Sequence, residues 1–300
     1  MKLIIQPDEG LTPLLQAVKR AKRSIDIVIF RFDRPELEKA LAAAVARGVT
    51  VRSLIAHTNR GGENNLRKLE LRLLGAGVIV ARTADDLTRY HSKMMIVDDA
   101  LHVLGFNYPR LDIDRSRSFG VTTRDKRLVK EAATLFAADC TRQPYTSGHD
   151  RFVVSPESAR PLLTEFLSGA KRELLIYNPR VSDRMMLRTL AERCKAGVEI
   201  RIIGKVEKEL PTVETRKLAG MRLHVRAIIR DGSRFFVGSQ SLRKLELDGR
   251  REVGVIVSHG AAARKLKAVF ESDWAARAPP AAKERDTEDA EAATPASAAR

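Results

Sequence analysis

The sequence predicts an α/β protein built as a tandem duplication: two copies of one mixed-sheet lobe flanked by helices, related by a pseudo-twofold. Three observations predict it. Amphipathic helical stretches alternate with short apolar strands along the chain. The same order of landmarks runs twice. One polar pattern occurs in each copy: His91-Ser92-Lys93 followed by Asp98 and Gly105, and His224-Val225-Arg226 followed by Asp231 and Gly238. In both, the cation stands two residues after the His, the Asp seven after the His and the Gly seven after the Asp. Two matching half-sites in one chain point to one composite site at the lobe interface, so no oligomer is needed to complete it.

The elements follow in order. Leu14, Leu15, Val18 and Ala21 fall at helical spacing within 13–28 and feed a strand over Ser24–Phe32. A helix over Pro35–Arg47 closes at Gly48, and Val49–Ile55 alternates like a strand. His57–Asn65 is a polar loop, Leu66–Leu74 a helix stopped by Gly75-Ala76-Gly77, and Val78–Ala81 a strand. Met94–Val97 and His102–Leu104 are buried strands turning at Asp98-Asp99. A strand around Phe119–Thr122 and a helix around Leu128–Cys140 end the first copy.

In the second copy Pro161-Leu162-Leu163 answers Pro13-Leu14-Leu15, Ala170-Lys171-Arg172 answers Ala21-Lys22-Arg23, and Ala196-Gly197-Val198 answers Arg47-Gly48-Val49. Ala219-Gly220-Met221 answers Ala76-Gly77-Val78, and Phe270 through Asp273 answers Phe136 through Asp139. Between Gly197 and His224 the second copy is shorter, which assigns the first lobe an extra loop around Ala81–Tyr90. The join falls at Gln143–Asp150, so the lobes are 1–147 and 148–277. Residues 278–300, rich in Ala, Pro, Glu, Thr and Ser without periodicity, read as a disordered tail.

Composition narrows the function. With 44% hydrophobic and 31% charged residues the chain reads as a soluble globular protein. No apolar run reaches the roughly 20 residues of a membrane helix, and the apolar part of Met1–Pro7 is too short for a secretory signal. Cys140 and Cys194 give neither a disulfide framework nor metal-ligand spacing. The expected setting is the cytoplasm, peripheral to a membrane if lipid is the substrate. A formal net charge of +16 points to a polyanionic partner, either nucleic acid or an anionic membrane surface.

The repeated pattern carries the chemistry. Residues i and i+2 of a strand share a face, so His91 lies beside Lys93 and His224 beside Arg226. A cation next to an imidazole suits phosphate esters. The cation, with Asn107, Ser239 and Ser241, binds non-bridging oxygens, while the imidazole attacks phosphorus or protonates the leaving oxygen. No metal or other cofactor is called for, because Lys and Arg supply the positive charge.

The doubled His-x-cation-x4-Asp-x6-Gly pattern, with the helix–strand lead-in, resembles the phospholipase D superfamily over roughly residues 10–277. The resemblance implies a metal-independent phosphodiesterase working through a phosphohistidine. His91 would then be the nucleophile and His224 the general acid and base. Lys93 and Arg226 would hold the phosphate, and Asn107, Ser239 and Ser241 would assist. The family places an acid downstream of one motif behind the other histidine; Glu252 stands there for His91. Ser118 at the matching position is no acid, which favours His91 as nucleophile. Asp98 and Asp231 brace the strand turns. Three departures stand out: Arg226 replaces the usual Lys, Gly105-Phe106-Asn107 is one residue short, and Ser241 replaces Asn.

The other histidines, His57, His102, His149 and His259, read as structural, and Met94-Met95 as core. Asp112-x-Asp114 reads as a solvated ion-pair cluster among Arg110, Arg115 and Arg117. Lys19-Arg20, Lys22-Arg23 and Arg124–Lys130 read as exposed helix faces. Phe106 and Tyr108 line a cleft or pack the core. Three functions remain open: phospholipid head-group hydrolysis or transfer, nucleic-acid cleavage, and polyanion binding by a decayed enzyme. Aromatics at 5% offer few stacking platforms for single strands.

Overall fold

Runs of Val, Ile and Leu buried on both faces build two mixed sheets, and helices with one apolar stripe cover them. The computed structural model describes residues 1–58, 63–208, 210 and 212–276; the tail expected from 278 lies outside them, as does part of the loop expected over His57–Asn65.

The first lobe runs β1 (Lys2–Gln6), α1 (Thr12–Arg20), β2 (Ser24–Ile29), α2 (Pro35–Ala46), β3 (Thr50–Ile55), α3 (Glu63–Gly75), β4 (Ile79–Arg82), β5 (Arg89–Tyr90), β6 (Met94–Val97), β7 (Ala100–Leu104), α4 (Arg110–Asp114), β8 (Ser116–Thr123) and α5 (Lys126–Thr141). The second runs β9 (Phe152–Ser155), α6 (Ala159–Ser168), β10 (Glu173–Val181), α7 (Arg184–Lys195), β11 (Glu199–Val206), β12 (Val213–Arg216), β13 (Arg222–Leu223), β14 (Arg226–Arg230), β15 (Arg234–Gly238), α8 (Lys244–Asp248), β16 (Arg250–Ser258) and α9 (Gly260–Ala275). Helix α1 stops at Arg20, short of 28, because the β-branched run from Ser24 pairs with β3 instead.

The sheets have equivalent orders, β1-β8-β7-β6-β2-β3-β4 and, with β9 beside β16, β12-β11-β10-β14-β15-β16. In each lobe β2-β3-β4 and β10-β11-β12 pair in parallel, and the hairpin strands pair antiparallel. Strands β1 and β9 open the two repeats, and neither stands out in the sequence. Five and four residues give too little alternation to read.

Two short strands cross over. Strand β5 leaves the first lobe and pairs parallel with β16 of the second (Arg250 opposite Arg89, Arg251 opposite Tyr90). Strand β13 returns the exchange on β8 (Arg222 opposite Ser116, Leu223 opposite Arg117). Each therefore delivers a motif histidine to the other lobe's sheet.

Among the described residues, buried apolar side chains gather into three clusters. One lies under α1, α2 and α3, and its counterpart lies under α6 and α7. Between the sheets a shared cluster joins Met94, Val103, Phe119 and Val121 of one lobe to Tyr177, Val237, Val253 and Val255 of the other. Phe106 and Tyr108 are fully buried in the first cluster, so they are core rather than cleft lining. Met94 and Met95 are core as well.

The second copy is shorter for a different reason than the expected loop. Among the described residues it has no helix between β11 and β12, where the first lobe carries α3. The match of Gly220 to Gly77 fails for the same reason: Gly77 precedes the edge strand β4, and Gly220 precedes β13.

Candidate active site

Both histidines stand where the crossing strands end. His91 N–H donates to the Arg251 carbonyl at 2.8 Å, and His224 N–H to the Arg117 carbonyl at 3.3 Å. The two motif glycines meet back to back: a β-carbon on Gly105 would lie 3.3 Å from the Gly238 carbonyl and 2.9 Å from that of Phe119. Only a residue without a side chain allows this approach. Asp98 and Asp231 stabilise the turns behind the motifs. Each sits at positive φ and its carboxylate accepts from three successive backbone N–H groups, Lys22 to Ser24 and Lys171 to Glu173.

Around His91, Glu252 of the other lobe contacts Nδ1 with both carboxylate oxygens, at 2.9 and 3.0 Å. This fixes the tautomer with the proton on Nδ1 and the lone pair on Nε2. Lys93, 1% exposed, donates to the His91 carbonyl at 2.8 Å and holds Nζ 2.9 Å from both ring nitrogens. Phe30 packs edge-on against the imidazole, centroids 4.5 Å apart. Burial and the charges of Lys93, Arg250, Arg226 and Arg89 hold His91 well below the usual imidazole range, so the ring is neutral. Burial pushes Glu252 up, against Lys93, Arg250, Ser239 and Arg226.

His224 has a different partner. Its Nδ1 lies 3.8 Å from Oδ2 of Asp112, which is 4% exposed and not the solvated charge expected of the Asp112-x-Asp114 segment. Asn107 Nδ2 donates to Asp112 Oδ2 at 2.7 Å, and Arg222 donates to Oδ1 at 2.8 Å. Burial pushes this carboxyl up, but His224, Arg222 and these hydrogen bonds outweigh it and keep Asp112 ionised. The expectation that only His91 has a carboxylate therefore fails. Ser118 is indeed no acid, but the first lobe supplies one six residues earlier, from α4. What remains is a difference in contact: Glu252 bonds its histidine directly, whereas Asp112 stands off and His224 Nδ1 is buried with no hydrogen-bond partner among the described residues. Burial, Arg226, Arg222 and Lys93 lower His224, and Asp112 opposes them.

Lys93 and Arg226 thus act on both imidazoles. Arg226 Nε donates to Ser241 Oγ at 3.0 Å, leaving Nη1 buried without a partner. The Ser239 hydroxyl closes onto the Val253 backbone, donating to the carbonyl at 3.3 Å and accepting from N–H at 3.2 Å. Asn107 spends its amide on Asp112. The remaining histidines stand apart. His102 pairs with Thr122, His259 caps α9, and His57 is exposed. Among the described residues no three His, Cys, Asp or Glu side chains converge as a metal ligand set, and no helix is long and apolar enough to cross a membrane.

Sequence reasoning missed Asp112 and three arginines, Arg89, Arg222 and Arg250. The signal for two of them was present, since both copies read Arg-x-His-x-cation.

Two expected results follow from this geometry. Asp112→Asn keeps the Asn107 contact but removes the charge that favours protonated His224. Turnover of an alkyl phosphodiester should fall by about 10²-fold, while a substrate with a p-nitrophenolate leaving group loses much less. Equal losses on both substrates would refute the pairing. The second concerns Lys93, which burial, with Arg226 and Arg250, lowers to about 7 against the pull of Glu252 and Asp112. Below that pH its ammonium attracts an anion; above it, binding must first take up a proton. The Kd for inorganic phosphate should therefore rise above pH 7, by up to about tenfold per pH unit. Calorimetry checks this, and an affinity flat from pH 6 to 9 contradicts it.

Comparison with known proteins places this geometry. The chain matches the family described as "Cardiolipin synthase, PLD-like domain" over residues 14–140 and 163–274, one stretch in each lobe. Two solved structures share the two-lobed fold. Polyphosphate kinase from Porphyromonas gingivalis aligns with a TM-score of 0.76 at 18% identity, over 90% of this chain and 46% of that one. This chain therefore spans less than half of that protein. Phosphatidylserine synthase from Haemophilus influenzae Rd KW20 aligns with a TM-score of 0.65 at 9% identity, over 91% and 85% of the two chains. At these identities the likeness is one of fold. No curated protein matches the chain.

Proposed function

The chain belongs to the phospholipase D superfamily, a group that acts on phosphodiesters, and on that premise we propose a metal-independent phosphodiesterase working through His91. Phospholipid head-group hydrolysis, or transfer of the phosphatidyl group to another alcohol, is the reading the family match favours. The observation that carries the mechanism is the bidentate hold of Glu252 on His91 Nδ1, which puts the proton there and leaves the lone pair of the neutral ring on Nε2, 2.9 Å from Lys93 Nζ.

The steps follow from the charges. A phosphodiester anion settles against Lys93 and the free edge of Arg226, and its charge, with that of Asp112, lets His224 take up a proton from solvent while His91 stays neutral. Nε2 of His91 attacks phosphorus, and the P–O bond to the leaving alcohol breaks. His224, whose charged form Asp112 favours, gives that alkoxide its proton. Neutral His224 then takes a proton from water or a second alcohol, whose oxygen attacks phosphorus and breaks the N–P bond. His91 returns to its starting state. Lys93 and Arg226 stay on the phosphoryl oxygens throughout.

The test uses purified protein in EDTA, with phosphatidylglycerol or phosphatidylcholine vesicles and, separately, single- and double-stranded DNA and RNA. Released head group or exchanged alcohol supports the lipid reading. Cut nucleic acid replaces it with a nuclease, the alternative that the net charge of +16 favours. No turnover of any of these, with salt-sensitive DNA binding, identifies a polyanion binder.

A further inference from the structure

At the end of β14 remote from the histidines, the second lobe carries two arginines where the first carries core. The last strand pair before the motif turn is Val97 opposite Ala100 in the first lobe, both buried. In the second lobe it is Arg230 opposite Arg234, both half-buried. Like charges directly opposite on neighbouring strands destabilise a sheet. Burial and the charge of Arg234 lower Arg230, against Asp231 and Glu165. Both guanidinium groups nevertheless lie on one ring, that of Phe166 in α6, with Cζ atoms 5.0 and 5.9 Å from its centroid.

The seat is shaped to receive Arg230. Its Nη1 donates to the Phe166 carbonyl at 3.0 Å, near the C-terminal end of α6. A β-carbon on Gly169 would lie 2.3 Å from the same nitrogen. Arg234 has no such anchor, and its Nε is buried without a partner. No carboxylate bonds either guanidinium among the described residues. The Asp231 carboxylate is engaged by the backbone N–H groups of Lys171, Arg172 and Glu173, and Glu173 holds Lys267. The exposed Lys171 and Arg172 add positive charge beside the pair, and Arg172 donates to the Asp231 carbonyl at 3.0 Å. Capping α6 accounts for Arg230 alone. It leaves unexplained why a second, unanchored arginine is set against it.

We propose that Arg230 and Arg234 together bind a phosphate group, in a site separate from the one between the lobes. Two guanidinium groups sharing one ring, with no acid between them, match the dianion of a phosphate monoester and offer it paired, charge-assisted N–H donors. Arg230 lies four residues from Arg226, about 13 Å along the strand, so one phosphate does not serve both places. A soluble monoester and a lipid head group ending in a phosphate present the same chemistry here. The site does not depend on the phosphodiester reading.

Proton–nitrogen correlation NMR reads arginine Nε–H groups one by one. The Arg234 signal is assigned by its loss in Arg234→Gln, and the Arg226 signal by its loss in Arg226→Gln. Inorganic phosphate titrated into the wild-type protein should shift the Arg234 signal to saturation. Arg230→Gln should weaken that binding at least about tenfold. Arg124→Gln, an exposed charge paired with Asp99 in the other lobe, should stay within about twofold of wild type. An Arg234 signal that does not move, or that moves as far with chloride of equal ionic strength, overturns the site. Should Arg230→Gln fail to fold by circular dichroism, Gly169→Ala decides, because its β-carbon intrudes on the place of Arg230 Nη1; an unchanged affinity there rejects the proposal. Sedimentation with phosphatidylcholine vesicles, with and without phosphatidic acid, separates the two sources. Binding to phosphatidic acid that Arg234→Gln abolishes identifies a head group; no such binding, with the phosphate shift present, identifies a soluble monoester. A protein whose Arg234 signal responds to phosphate while that of Arg226 does not keeps this site and loses the anion-binding step of the proposed reaction.

Discussion

Replacing His91 with Ala should take turnover of every phosphodiester to background and remove any covalent phosphoenzyme, while His224→Ala should remove only part of the activity. The two differ because, on the proposed mechanism, His91 forms the bond to phosphorus and His224 moves a proton. A p-nitrophenolate leaving group needs no proton, so on bis(p-nitrophenyl) phosphate His224→Ala should still release the first p-nitrophenol as a burst. The label trapped on His91 should then survive alkali and not acid, as a phosphoramidate does. With an alkyl leaving group the same variant should lose about 10²- to 10⁴-fold. A burst from His91→Ala, or label on a residue other than His91, would reverse the assignment.

The largest effect on stability is expected at Asp273. Arg117 of β8, at the lobe interface, donates to its two carboxylate oxygens at 2.8 and 3.0 Å and to the Gln6 carbonyl at 2.9 Å; Tyr177 adds a hydroxyl at 2.6 Å. The pseudo-symmetric contact is Arg251 to Asp139 at 3.2 Å and to the Ser155 carbonyl at 3.1 Å, with Glu157 also on the guanidinium. Asp273→Ala leaves the Arg117 guanidinium without its bidentate carboxylate and the Tyr177 hydroxyl without its acceptor, both buried between the lobes, and should cost about 3–5 kcal/mol. At about 2–4 °C per kcal/mol for a chain of this class, Tm should fall by roughly 10 °C. The double variant Arg117→Met with Asp273→Leu should recover much of the loss, because the uncompensated charge is then gone. A loss under about 1 kcal/mol in Asp273→Ala would mean that water enters the interface and this pair is solvated.

The duplication and the doubled motif were legible because they repeat at fixed spacing, and repetition is a property of sequence. The alternating helices and strands were legible for the same kind of reason, period against period. Asp112 was not. Its neighbours Arg110, Asp114 and Arg115 gave it the look of a surface cluster, and only the seating of α4 against the incoming β13 shows where its side chain goes. The backbone contacts of Ser239 were not legible, because they depend on β16 lying alongside. Arg250 was passed over since nothing local distinguishes a strand arginine facing a site from one facing solvent. Each of these depends on contacts between segments far apart in the chain.

The exchange of β5 and β13 makes the molecule behave as a dimer fused through its linker. Neither half seats its own motif histidine: each is docked by a backbone bond to the partner half, His91 to Arg251 and His224 to Arg117. Such mutual lending is what symmetric assemblies do between subunits. Once joined in one chain, the two halves are released from having to stay identical. The halves differ: among the described residues the second has no counterpart of α3, and it carries Arg226, Arg250 and Glu252 where the first has Lys93, Ser116 and Ser118. On the proposed roles, a fused chain can divide an interface of equals into a nucleophile's side and a proton's side.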